Sequence, residues 1–483
     1  MNRLARALAN AYPAAFAATY VLLAFTATPN PVGALWRPLL VAVALALAIQ
    51  LVLRLLLRRT DRAALAASVL VLAGLATWVP LLVIVGGALW LLGLTWLAHR
   101  RGHSIAWSES RVSRLAAAFA WALVAIAAVT ATIPTVEFMP AADASRSAEV
   151  QGASSNVVVL LLDGYPRGDS LREQFGIDPE PFEQALSDRG FAVAAASRSN
   201  YTSTWMTIAS MVHGRYVHEI RGLERAPASA AEQYRLLMRS IAEGEQLRTL
   251  RQRGYEIVSV PSAYESAAIL SADRVAAPVE LNSFELSLIQ HSLAGRLVLE
   301  LAPQIAFEQH RDRVRSTLEI AVREATVRRN RPALVFAHLL APHAPLAFVE
   351  GTPAPTCFPA CSLYVMGPEA DWSGYPEHLA AVNDLVLTAI DRLRARDPAA
   401  TIVVMSDHGT VRRGDHDGPN AFRTFFAARV HDGSLPFPSD VSPVDVLRLL
   451  VDPASEPTVP YRAWTSEQEA PMNVVPVAGA DGP

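Results

Sequence analysis

Hydrophobic positions are distributed unevenly along this chain. Five apolar stretches occupy its front, at residues 11–28, 38–57, 63–79, 80–98 and 115–133. Each is close to the roughly 20 residues a helix needs to cross a bilayer. The first is too long, and too closely followed by others, to be only a cleaved signal peptide. Nothing polar separates 63–79 from 80–98, and Thr77-Trp78-Val79-Pro80 is the single turn signal there. That pair reads as a tight hairpin or a re-entrant pair. Either returns the chain to the side it came from.

After residue 135 the pattern changes. Residues 135–155 are small and polar and read as a linker. Asn156–Leu162 is then a continuous apolar run, as expected of a strand buried on both faces. Helical periodicity follows at 180–189, then an apolar strand near 191–196. Three further helix–strand units follow: 244–253 with Glu256–Val260, 312–328 with Ala333–His338, and 377–396 with Thr401–Met405. This alternation predicts an α/β domain with a mainly parallel sheet covered by helices on both faces. The tail after 465 is polar, contains Pro and Gly, and reads as disordered.

Composition sharpens the division. The 483 residues are 52% hydrophobic and only 18% charged. The charged share is below the roughly 25% usual for soluble domains. There is no Lys, so all 42 basic residues are Arg, against 45 acidic ones. The net charge of −3 gives no support for nucleic-acid binding. Arg3 and Arg6 precede the first stretch, Arg54, Arg58, Arg59 and Arg62 follow the second, and Arg100, Arg101, Arg111 and Arg114 lie between the fourth and fifth. The loop between the first two stretches holds only Arg37. Positive-inside bias therefore puts the N-terminus in the cytoplasm, and five crossings put everything after about residue 135 outside. No charge lies in the middle of the first, third, fourth or fifth stretch, which reads as an anchor and not a transport path. Beyond residue 135 there are 31 Arg and 43 acidic residues, a net −12. An anionic substrate would need a local positive feature there, such as a metal.

The chemistry lies at the predicted strand ends, where α/β sheets bind ligands. Asp163 ends the first strand, Asp407-His408-Gly409 ends the fourth, and His338 and His343 end the third. Carboxylates and His in such positions suit a hard or borderline divalent cation. A hydroxyl nucleophile is sought in 199–211. Apolar spacing from 205 to 212 predicts a helix, with Thr204 at its N-cap, beside exposed backbone N–H groups. Thr202 and Ser203 are close enough to compete with it. Arg167, Arg198, Arg412 and Arg413 lie near these motifs and could clamp anionic oxygens. Cys357 and Cys361 would lie on the oxidising side, where a local disulfide is permitted.

These residues resemble the alkaline phosphatase superfamily on its sulfatase-like branch, and most of all the membrane-anchored lipoteichoic acid synthase type. Ser406-Asp407-His408-Gly409 is the most specific element. Gly214-Arg215-Tyr216 looks like the end of the sulfatase signature, and its spacing puts Thr204 at the nucleophile position. Ala341-Pro342-His343-Ala344-Pro345 and Gly414-Asp415-His416 look like the family's two later His segments. The resemblance implies an anchor over 1–134, a linker over 135–155, an extracytoplasmic sulfatase-like α/β/α domain over 156–464, and a tail over 465–483. It implies a multi-pass protein of the bacterial inner membrane. Asp163, Thr204, Asp407 and His408 match the metal shell. His343 and His416 match positions that contact substrate or protonate the leaving group, and His338, Arg167 and Arg412 are candidate substrate contacts. One divalent ion is implied, Mn, Mg, Ca or Zn.

Two departures narrow the chemistry. Thr204 is followed by Trp205-Met206-Thr207-Ile208, not the Cys-x-Pro-Ser-Arg signature that is converted to formylglycine. Asp163 is followed by Gly164, not a second Asp. Both fit single-metal, Thr-nucleophile phosphotransferases better than sulfatases. The reading is a membrane-anchored, metal-dependent phosphoester or sulfoester hydrolase or transferase, and the anchor, which holds the site near bilayer-borne donors, points to head groups of lipids or envelope glycans. A sulfatase or phosphomonoesterase without formylglycine, and a non-catalytic envelope sensor or assembly protein, are the other readings.

Overall fold

The computed structural model describes residues 10–27, 30–75, 109–136, 155–224, 230–264, 267–351, 371–410, 418–431, 437–455, 463–466 and 474–476. The chain divides into two compact units. One comprises Met1–Met139 with Ser283–Gln304, the other Pro140–Asn282 with Ile305–Pro483.

Among the described residues, the first unit begins with four helices, α1 (Tyr12–Ala27), α2 (Trp36–Leu57), α3 (Thr60–Gly74) and α4 (Glu109–Val136). Two described segments, Val32–Leu57 and Val112–Val129, are long and apolar enough to cross a membrane, and Tyr12–Thr26 is apolar but shorter. Only 6% and 22% of the two long apolar windows are buried. A core helix of a soluble domain would be mostly buried instead. The stretch 80–98 and the end of 63–79 lie outside the described residues, so a five-helix bundle is not established. The helices approach closely through small side chains, with Ala14, Ala15, Ala17, Ala46, Ala64, Ala117 and Ala120 in one buried cluster. Ser113 Oγ donates to Tyr12 Oη at 3.1 Å. Further along the same two helices, Val21 and Phe25 pack with Ala127. α1 and α4 are therefore parallel. Gln50 Nε2 donates to the Asn10 carbonyl at 2.7 Å, so α2 runs the opposite way.

The second unit is built on β1 (Val157–Leu162), after which come α5 (Gly168–Phe175), α6 (Glu180–Ser187), β2 (Ala192–Val193), α7 (Thr204–His213), α8 (Ala230–Ala242), α9 (Glu245–Gln252), β3 (Glu256–Val260) and β4 (Arg274–Val275). Two helices of the first unit intervene, α10 (Ser283–Gln290) and α11 (Leu293–Leu301). The chain continues through α12 (Gln304–Thr326), β5 (Ala333–Leu339), α13 (Tyr375–Arg396), β6 (Thr401–Ser406), α14 (Pro419–Phe422), β7 (Phe426–Arg429), α15 (Pro443–Val451), β8 (Trp464–Ser466) and β9 (Val474–Pro476). Seven strands form one sheet in the order β2-β7-β6-β1-β5-β3-β4. The four longest apolar strands expected from the sequence make its contiguous centre, β6-β1-β5-β3, and all their mutual pairings are parallel. β7 pairs antiparallel with both β6 and β2. The predicted strand near 191–196 is short and lies at this edge. Inside the expected tail, β9 pairs with β8.

Strand alternation sorts the core into two layers. Val158, Leu160, Leu162, Val335 and Val404 pack beneath α5, α6, α12 and α13. Val159, Leu161, Phe336, Val403 and Met405 pack beneath α7, α8, α9 and α15. The register aligns Leu161 with His338 and with Met405. With a side-chain period of two, Asp163, His338 and Asp407 continue the rows of Leu161, Phe336 and Met405. All three therefore emerge on the face that α7 covers.

Within the first unit, α10 and α11 close over one end of the bundle. Phe284 meets Phe25 edge-to-face at 5.8 Å between ring centroids. Tyr20 Oη donates to the Leu288 carbonyl at 3.5 Å. Arg37 Nε and Nη2 donate as a fork to the two carboxylate oxygens of Glu285. α11 packs against α3, whose terminal Gly74 faces Ala294. Nothing in the helix–strand periodicity of the sequence assigns this segment to the bundle.

Candidate metal centre

β1 delivers Asp163 to the carboxyl edge of the sheet, and the chain must then turn sharply. Gly164 adopts φ +68°, a conformation open to Gly but costly for other residues. A Cβ there would also sit 3.0 Å from Thr410 Oγ1. The turn lets the Gly164 N–H donate to Asp407 Oδ1 at 3.0 Å, and the Tyr165 N–H donate to Ser406 Oγ at 2.8 Å. The two strand ends are thus tied through backbone as well as through pairing.

Asp163, His338 and Asp407 are all buried, and one ligand atom from each lies within 4.8 Å of the others. His338 Nε2 is 3.0 Å from Asp163 Oδ2. His408 Nε2 is 3.4 Å from Asp163 Oδ1 and 3.4 Å from Asp407 Oδ2. Those two oxygens, Asp163 Oδ1 and Asp407 Oδ2, are buried without a hydrogen-bond donor. Two buried carboxylates at such separation repel one another, and each orphaned oxygen forfeits its hydration. A divalent cation would remove both penalties, so the donor set fits one.

The imidazoles are oriented for this. His408 Nδ1 donates to the Gly409 carbonyl at 2.9 Å, and His343 Nδ1 donates to the Ala344 carbonyl at 3.0 Å. In the neutral form each ring then presents Nε2 as a bare acceptor. His338 Nδ1 meets Ser262 Oγ at 3.0 Å. Burial alone would raise the Asp163 pKa, but His343, His338 and His408 outweigh it and hold the carboxyl well below the usual carboxylate range. Burial pushes His408 down, and the facing carboxylates of Asp407 and Asp163 outweigh this and push it up to about 10.

α7 points its N-terminus at this edge of the sheet. The sequence places Thr204 at the N-cap, whereas Ser203 takes that position with extended backbone and Thr204 is the first helical residue. An N-cap needs non-helical dihedrals, and Ser203 has them, at φ −126° and ψ 124°. Thr204 is 9% exposed. One turn on, Thr207 Oγ1 donates to the Asp407 carbonyl at 3.1 Å, and Ser199 Oγ donates to the same oxygen at 2.6 Å. Thr204 and Thr207 share a helix face by their three-residue spacing. The Gly-Arg-Tyr motif ends the helix: Gly214 has φ +65°, and Arg215 pairs with Glu245. Trp464 stacks on Tyr201 at 5.4 Å and donates its backbone N–H to the Asn200 carbonyl, bracing the segment that leads into α7.

Among the sequence candidates, Asp163, His338, Asp407 and His408 come together. His343 is adjacent, its ring centroid 6.2 Å from that of His408 and its backbone N–H donated to the Asp163 carbonyl. Arg167 is committed elsewhere, forked onto Asp169 at 2.8 and 2.7 Å and bonded to the Ser197 carbonyl. Arg198 pairs through its backbone with Arg423. His416, Arg412, Arg413, Cys357 and Cys361 lie outside the described residues. The hydroxyls of Ser199, Thr207, Ser262 and Ser406 escaped the sequence reading. Ser262 was findable, because it follows the end of β3 as the other candidates follow theirs.

No protein-family model matches the sequence, and no curated protein sequence matches it. Similar solved structures include phosphoethanolamine transferases, a sulfatase and a protein of the alkaline phosphatase superfamily. The C-terminal periplasmic domain of EptC from Escherichia coli, in complex with Zn, is 14% identical, with 64% of this chain and 84% of that one covered at a TM-score of 0.40. The integral membrane lipooligosaccharide phosphoethanolamine transferase EptA from Neisseria meningitidis is 14% identical, with 86% and 88% covered at 0.36. An alkaline phosphatase superfamily protein from Vibrio parahaemolyticus is 13% identical, with 62% and 66% covered at 0.35.

Proposed function

We propose that this chain is a membrane-anchored, metal-dependent phosphoester transferase or hydrolase with Thr204 as its nucleophile. The observation that carries this reading is the pair of orphaned buried oxygens, Asp163 Oδ1 and Asp407 Oδ2, facing His408 Nε2 at 3.4 Å. Asp163, Asp407 and His408 would hold one divalent ion together with Thr204, and His338 extends the donor set. When bound, the ion supplies Lewis acidity and charge neutralisation for a phosphoryl group.

The protein groups then divide the work. Thr204 sits in the first turn of α7, where the helix dipole and free N–H groups favour an anion. Its Oγ, having released its proton to solvent, attacks phosphorus in line, forming an Oγ–P bond as the P–O bond to the leaving alcohol breaks. His343 or His416 gives a proton to the departing oxygen. A second alcohol or water attacks the phospho-threonine in the reverse sense and restores Thr204. His338, buttressed by Ser262, holds Asp163 in place. The apolar front of the chain keeps the site beside bilayer-borne substrates, which favours phosphoester head groups of lipids or lipid-linked glycans, on the non-cytoplasmic side of a bacterial inner membrane.

The test is head-group release or transfer from anionic phospholipid vesicles by the metal-loaded full-length protein. Aryl monoester, diester and sulfate substrates run in parallel separate this reading from a monoesterase or sulfatase. Absence of turnover on every ester, with one ion bound per chain, would overturn it and leave a sensor or assembly role.

A further inference from the structure

α10 and α11 interrupt the catalytic half of the sequence yet belong to the helical unit. Their contacts fall toward one end of that bundle: the later half of α1 through Tyr20 and Phe25, the start of α2 through Arg37, the end of α3 through Gly74, and the later part of α4 through Ala127. The Arg distribution puts this end on the non-cytoplasmic side. Trp36, 60% exposed at the same end, is the residue type that favours a membrane–water boundary.

α11 has three distinct sides. Ser292 caps it by accepting from the Gly295 N–H at 3.0 Å. Leu299 packs inward, and Arg296 and Glu300 are exposed and charged. At 3.6 residues per turn, Leu293, Ala294, Leu297, Val298 and Leu301 span an arc of about 140°. That arc is uncovered: Leu293 is 48% exposed, Leu297 and Val298 50%, and Leu301 82%. α3, the helix against which α11 packs, also leaves apolar side chains uncovered, with Val69 and Leu70 66% and 52% exposed. The single buried carboxylate of α10, Glu285, is paired with the Arg37 fork, so α10 carries no uncompensated carboxylate into this region.

We infer that residues 283–301 form a membrane-inserted hairpin, with the apolar arc of α11 seated in the hydrocarbon of the non-cytoplasmic leaflet. A continuous apolar arc beside charged flanks is the pattern of an interfacial helix. The catalytic half of the chain is then joined to the membrane unit by three chain connections, near 139, 282 and 304, instead of one. This inference rests on the first unit being membrane-embedded.

The experiment uses the unaltered full-length chain in bilayer nanodiscs doped with phosphatidylcholine carrying a diazirine in its acyl chain. After photolysis, adducts are mapped by peptide mass spectrometry. Adducts are expected on 293–301 and on α2 around Leu45 and Leu51, and none on buried β1. Adducts on α2 without adducts on 293–301 overturn the inserted hairpin and leave the anchor standing. Adducts on neither overturn the anchor, and the hairpin with it.

Discussion

Asp163 Oδ2 lies 3.0 Å from His338 Nε2 although 175 residues separate them in the chain. Parallel pairing of β1 with β5 creates this contact, because the register sets Leu161 beside His338 and Asp163 is the next residue on that face. Removing either side chain leaves its neighbours as buried charges without their partner. Asp163→Asn is expected to reduce bound metal from about one ion per chain to near zero, measured by elemental analysis of purified protein. Full retention would remove Asp163 from the proposed ligand set.

Thr204→Ala should abolish turnover, by roughly 10³-fold or more, with bound metal lowered at most modestly. Thr204→Ser restores a hydroxyl and should recover part of the rate. Steady-state kinetics on the best ester substrate reads both. An Ala variant as active as the parent would exclude Thr204 as nucleophile.

Proton and metal compete at His408. Its pKa in the ion-free fold is pushed up to about 10, so at neutral pH a cation must displace a proton. Metal affinity is expected to rise with pH between 6 and 9, with proton release seen by calorimetry in buffers of different ionisation enthalpy. The same raised pKa gives the ion-free fold a stabilisation that is complete below the unfolded value of about 6.5 and is lost as pH rises through about 10. Thermal melts of chelated protein across that window test the sign.

Arg37→Ala leaves the Glu285 carboxylate, only 6% exposed, without its fork. A broken buried ion pair costs about 3 kcal/mol or more. The expected result is a lower melting temperature in detergent. Glu285→Gln added to Arg37→Ala removes the stranded charge and should recover part of the loss. Additive effects of the two changes would deny the coupling.

The helices and strands on which the site depends were largely legible in the sequence. Residues 401–405 reappear as most of β6, because a strand buried on both faces needs a near-continuous apolar run, and 256–260 reappear as β3. The same logic placed Asp163, His338 and Asp407 at strand ends. It could not say which of them would meet, since strand order and register are set by pairing between segments far apart in sequence. Nor could it assign His338 to the carboxylate pair, or find Ser199 and Thr207 on the Asp407 carbonyl, because hydroxyl contacts leave no periodic trace. The same limit applies to 283–301. Its amphipathic pattern fits a helix against either unit, and only the Phe25, Arg37 and Gly74 contacts decide for the bundle. Local periodicity therefore determined what each segment could become, and long-range packing decided which neighbours it met.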